Sequence, residues 1–121
     1  MMRFYFTVCA ILVCTCLKYN LAVGHHAISA NYDENSLGTI EGSVVEVFWA
    51  NPHVHYYIEI TNDLGSIDLW DIETSSLIAL SRVGWTKETI KVGDTIRVSG
   101  QLGRNGIKRL NLDRDSLQIL E

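Results

Sequence analysis

From His53 to Thr61 apolar and polar side chains alternate without a break. Val54, Tyr56, Ile58 and Ile60 face one way, and His53, His55, Tyr57 and Glu59 face the other. Period two marks a strand with one buried face, so the aliphatic set fixes where the core of a sheet must lie. The flanking segments extend the pattern. Thr39–Trp49 reads as a long first strand whose alternation breaks at the adjacent Val44 and Val45, which predicts a β-bulge. Ala50-Asn51-Pro52 is a turn, and Asn62–Gly65 closes a hairpin into a third strand, Ser66–Ile72. That strand places Ile67 and Leu69 on one face and Asp68 and Trp70 on the other. The period then changes. Ser75 or Thr74 can cap a short helix that runs to Val83 with Leu77, Ile78 and Leu80 inward. Gly84 suits the left-handed position after its last turn. A fourth strand, Thr95–Leu102, and a fifth strand or strand pair, Ile107–Leu120, follow turns at Lys91–Asp94 and Gly103–Gly106. Three strands, one helix and two strands predict a mainly β domain over residues 38–121. It is expected to be a small five-stranded OB-fold-like barrel with one short helix between strands 3 and 4.

The apolar residues are unevenly shared. Residues 1–24 hold 18 of 57, and the remaining 97 residues hold 39. Arg3 precedes an apolar run from Phe4 to Leu17, and Ala22 and Gly24 supply the small residues at −3 and −1. These features predict a secretory signal peptide over 1–24, too short for a membrane span of about 20 residues. Export to the periplasm or beyond is therefore expected, with no stable membrane insertion after cleavage. Cys9, Cys14 and Cys16 all lie inside this segment, so a chain starting at His25 must fold without disulfides. Residues 25–37 are polar, lack a period and read as a leader arm. From His25 onward, 8 Lys/Arg oppose 14 Asp/Glu, a net charge of −6, which argues against a phosphate-neutralising surface and predicts no nucleic-acid partner.

His25-His26-Ala27, Trp49-Ala50-Asn51-Pro52-His53, Trp70 with Glu73, Arg82-Val83-Gly84-Trp85 and Lys91-Val92-Gly93-Asp94 follow one another in this order. The ordered set resembles a family of short exported bacterial proteins of unknown function with a mature His-His start and Asn-Pro-His, Gly-Trp and Gly-Asp motifs. The resemblance implies a bacterial periplasmic protein and names no activity. Thr74-Ser75-Ser76 departs from the Ser-Pro helix start expected there, and His55 stands where an aromatic is common.

Four histidines carry the only distinctive chemistry. His53 and His55, two apart in a strand, point to one face and can approach one ion. An N-terminal His25 would add an amine and an imidazole, and His26 a supporting contact. Nitrogen donors of this kind favour copper, with zinc the runner-up. The leading expectation is a non-enzymatic metal-binding or metal-carrying module, because no catalytic motif stands in the sequence. The alternative is a metal-free module that binds a peptide, glycan or partner protein on the face of strands 2 and 3 through Tyr57, Asp68 and Trp70. Asp71 and Glu73 read as solvated charge. Arg104, Lys108, Arg109 and Arg114 read as a solvated strand face.

Overall fold

The computed structural model describes residues 30–120. The expected signal segment, 1–24, and the pair His25 and His26 lie outside the described residues. Six strands make one sheet: β1 (Tyr32–Phe48), β2 (His55–Thr61), β3 (Ile67–Glu73), β4 (Thr95–Gly103), β5 (Arg109–Leu112) and β6 (Gln118–Leu120). A single turn-and-a-half helix, α1 (Leu77–Arg82), falls between β3 and β4. β1 is long enough to serve two neighbours. Its first part pairs with β4, Leu37 opposite Gln101 through Ser43 opposite Thr95, and its second part pairs with β2, Ser43 opposite Glu59 through Phe48 opposite His55. β3 runs parallel to β5, and β5 is antiparallel to β4, so the order β1-β2-β3-β5-β4 returns to β1 and closes. Closure leaves β2 and β3 without a free edge, and it confirms the expected mainly β, OB-type architecture.

The bulge falls where the alternation breaks. Val44 pairs with Ile58 and Glu46 with Tyr57, leaving Val45 as the extra residue. There β1 leaves β4, and Val44 exchanges backbone hydrogen bonds with Gly93 and Asp94 instead, at 2.9 and 2.8 Å. β1 also begins earlier than the turn signals suggested. Tyr32–Leu37, assigned to the leader arm, are strand, and Tyr32 is buried against the domain.

β5 and β6 lie end to end along β4. Between them Ser116 replaces the ladder: its Oγ accepts from Ser99 N at 2.8 Å and donates to Ser99 O at 3.1 Å. The helix is capped one residue later than expected, by Ser76, whose hydroxyl accepts from Ala79 N. Asn51 adds a second tie by accepting from Leu77 N at 3.1 Å, which links the turn after β1 to α1. Leu80 is buried, but Ile78 points to solvent, because only one stripe of so short a helix can meet the sheet. Gly84 takes the left-handed conformation at φ 83°.

The core gathers Val44, Val54, Tyr56, Ile58, Ile72, Leu80, Ile90, Ile96, Val98, Leu110 and Leu112, with Trp49, Trp70 and Trp85 packed against it. Where strands cross closely, only glycine fits. A Cβ on Gly100 would stand 2.0 Å from the backbone oxygen of Asn111 on β5, and backbone cannot swing aside. Gly100→Ala is therefore expected to cost about 2–3 kcal/mol of folding stability. Urea denaturation would read this as a lowered midpoint with an unchanged slope, and an unchanged midpoint would contradict it.

Candidate functional site

In an antiparallel pair, residues directly opposite share a face. His55 stands opposite Glu73, Tyr57 opposite Asp71, and Ile58 opposite Trp70. Odd-numbered residues of β3 therefore join the histidine face, and even-numbered ones join the core face. This corrects the expected ligand face. Trp70 packs against the core, and Asp68 pairs with Lys108 away from the histidines. Ile67 and Leu69, the apolar pair of that strand, are the ones turned to solvent. Asp71 and Glu73 take the places expected for Asp68 and Trp70.

Two carboxylate–imidazole pairs run diagonally across the β2–β3 ladder. His53 Nδ1 lies 2.5 Å from Glu73 Oε1, and His55 Nδ1 lies 2.6 Å from Asp71 Oδ1. Strictly, β2 starts at His55, but the Val54 N–H donates to Ser75 O and the Val54 carbonyl accepts from Thr74 N, which carries His53 onto the same face. The second oxygen of each carboxylate is held from behind. The Tyr32 hydroxyl donates to Glu73 Oε2. Arg109, which the parallel β3–β5 register sets beside Asp71, donates from Nε to Asp71 Oδ2 at 3.0 Å, and its Nη2 lies 2.9 Å from the same oxygen as an ion pair. Its Nη2 also lies 3.7 Å from Glu73 Oε2, and its guanidinium sits 5.9 Å from the centre of the Tyr32 ring. All four carboxylate oxygens thus have protein partners.

Neither carboxylate is solvated surface charge. The Glu73 and Asp71 side chains are only 14% and 18% exposed. Burial is the largest influence on Glu73 and pushes its carboxyl upward. The Tyr32 and His53 hydrogen bonds, with the nearby imidazoles, outweigh it and hold Glu73 below its ordinary value. Glu73 is accordingly ionised at neutral pH and can only accept, so the proton between it and His53 belongs to Nδ1. Asp71, paired with the Arg109 guanidinium through Oδ2, presents Oδ1 to His55 Nδ1 in the same geometry. Burial, then the bond to Glu73, pushes the Tyr32 phenol upward, which keeps it a donor.

The four histidines thus divide. His53 and His55 share the face, the first 41% and the second 18% exposed, and His26 and His25 fall outside the described residues. Rings flank His55. Phe48 meets it edge-on at 6.2 Å, and Tyr57 stacks at 6.4 Å with the planes 15° apart. Asp71 and Glu73, expected as solvated charge, Arg109, expected on a solvated strand face, and Tyr32, which no sequence signal singled out, complete the site. The hairpin register held the signal for the acids, since 71 and 73 share parity with 53 and 55. Tyr32 and Arg109 reach the site only through closure of the sheet. Among the described residues, no group of three or more His, Cys, Asp or Glu side chains is placed to hold a metal ion alone. No helix among them is long and apolar enough to cross a membrane.

The mitochondrial single-stranded DNA-binding protein of S. cerevisiae is similar in structure, with a TM-score of 0.53 and 15% identity over 71% of this chain and 94% of that one. A small single-stranded DNA-binding protein from Streptomyces coelicolor matches at a TM-score of 0.43 and 9% identity, over 73% of this chain and 94% of that one. The yeast likeness supports the OB-type fold. It also overturns the expectation of no nucleic-acid partner: that fold serves a DNA-binding protein, and net charge does not decide what one face of it can meet. No curated protein matches the chain. Residues 12–111 match the DUF6152 model, so the chain belongs to that family, one of unknown function.

Proposed function

We propose that this chain is a small exported metal-binding or metal-carrying module, not an enzyme, which takes its ion on the Nε2 atoms of His53 and His55. One observation carries the reading: both imidazoles turn Nδ1 to a carboxylate. This is the outer-shell arrangement that fixes the tautomer of metal-binding histidines and raises their basicity. Copper is favoured, because the Glu73 and Asp71 oxygens already accept hydrogen bonds and the donors the pair presents are imidazole nitrogens. Zinc is the runner-up, with tetrahedral nitrogen and oxygen ligation. Two imidazoles leave coordination positions for water or further donors. His25 and His26 are the sequence's candidates, the first offering an amine as well if the chain is cleaved after Gly24.

A second reading draws on the row Phe48, His55 and Tyr57. Rings on an OB-type sheet face can stack a planar ligand, such as a peptide side chain, a sugar or a base of single-stranded nucleic acid like the DNA bound by the yeast neighbour. The two readings separate on variants. His53→Ala is expected to weaken copper(II) binding by about tenfold or more in a chelator competition, while Tyr57→Phe, which keeps its ring, stays near the parent. Equal binding by parent and His53→Ala would contradict the metal reading. Binding of an oligonucleotide or peptide that survives chelator and is lost in Tyr57→Ala would favour the second.

Stability should follow the Glu73 carboxyl. Its folded value lies below the ordinary 4.5, so its contribution is present above about 4.5 and is lost as pH falls through the lower folded value. Urea midpoints of the metal-free protein are expected to drop on acidification below about pH 4.5, and less steeply in Glu73→Gln. Parallel profiles for the two proteins would contradict the assignment.

A further inference from the structure

We propose that Tyr32 and Arg109, neither of them a ligand, are positioning residues that each lock one histidine, Tyr32 through Glu73 and Arg109 through Asp71. They fix both imidazoles as Nδ1–H tautomers before any ligand arrives. The inference rests on the metal-binding reading for its consequence, but not for its geometry. Each lock is a three-part chain. The Tyr32 hydroxyl holds Glu73 Oε2, and Glu73 Oε1 holds His53 Nδ1. The Arg109 fork holds Asp71 Oδ2, and Asp71 Oδ1 holds His55 Nδ1.

A carboxylate free to rotate could turn either oxygen to the imidazole or leave it for water. One whose far oxygen is pinned by a donor that is itself held in place cannot. Tyr32 is 1% exposed, so its donor is fixed by the packing of β1. Arg109 is fixed by the parallel pairing of Asp71 with Arg109 across β3 and β5. With the proton held on Nδ1, Nε2 keeps its lone pair in each ring.

The same locks set the class of ligand. Two carboxylates beside two imidazoles would ordinarily suit oxygen-seeking ions as well, but here every carboxylate oxygen already has a partner on the protein. The histidine pair itself offers nitrogen, while the oxygens of Tyr57 and Glu59 lie further along the same face of β2. The pair therefore selects ions that prefer imidazole over calcium and magnesium, which require oxygen.

The test reads the imidazole nitrogens of the metal-free protein by long-range 15N–1H correlation, on the alkaline side of the histidine titration. Both His53 and His55 are expected as a single Nδ1–H tautomer in the parent. Tyr32→Phe, which keeps the buried ring, should convert His53 to a tautomer mixture and leave His55 unchanged. Arg109→Gln should do the reverse. Each variant should also lose about tenfold or more in copper(II) affinity. A general loosening of the fold would move both histidines together. That outcome, or a mixture or Nε2–H form in the parent, overturns the inference. If the parent shows both Nδ1–H tautomers and binds no copper, the positioning inference stands and the metal reading falls.

Discussion

The pairing of His55 with Glu73 across β2 and β3 is the constraint on which the rest depends. Because β2 alternates cleanly, this one register sends Tyr56, Ile58 and Ile72 into the core and brings Asp71 and Glu73 beside the histidines. A slip of one residue would exchange the two faces of β3, burying acids and exposing Trp70. The register is therefore held by the whole core, and the polar face inherits its precision from apolar packing on the other side of the same strand.

Closure of the sheet does the remaining work. β1 turns from β4 to β2 at the Val45 bulge, and β5 lies parallel to β3, so Tyr32 and Arg109 arrive from opposite ends of the chain. Both meet the carboxylates from the side away from the imidazoles. A half-buried cluster of one arginine, two acids, two histidines and a tyrosine is costly unless its members pair. Here the hydrogen bonds follow one another without an orphaned carboxylate oxygen. Such a network suits a face whose geometry is set before its ligand arrives.

Much of the fold was legible because it rests on local patterns. The alternation from His53, the double valine at 44 and 45, the glycine after the helix and the strand–helix order each carry their own physical cause. The third strand was not legible from its own residues. Ile67 and Leu69 look like its core face, but the apolar face of a strand is decided by its partner, and here Trp70 and Ile72 face inward. The histidines were visible as a pair two residues apart. Their carboxylates required the hairpin register, and Tyr32 and Arg109 required contacts 41 and 38 residues distant in sequence. Overall charge was the least informative signal, since a net value says nothing about which face carries it.

The most direct measurement is a crystal structure of the protein grown with copper, with anomalous data collected at the copper edge. One copper is expected on the β2–β3 face, bonded at about 2.0 Å to Nε2 of His53 and His55, with Glu73 and Asp71 still on the two Nδ1 atoms. A copper held by the carboxylate oxygens, or none on this face while the crystals carry it elsewhere, would contradict a histidine site on this face.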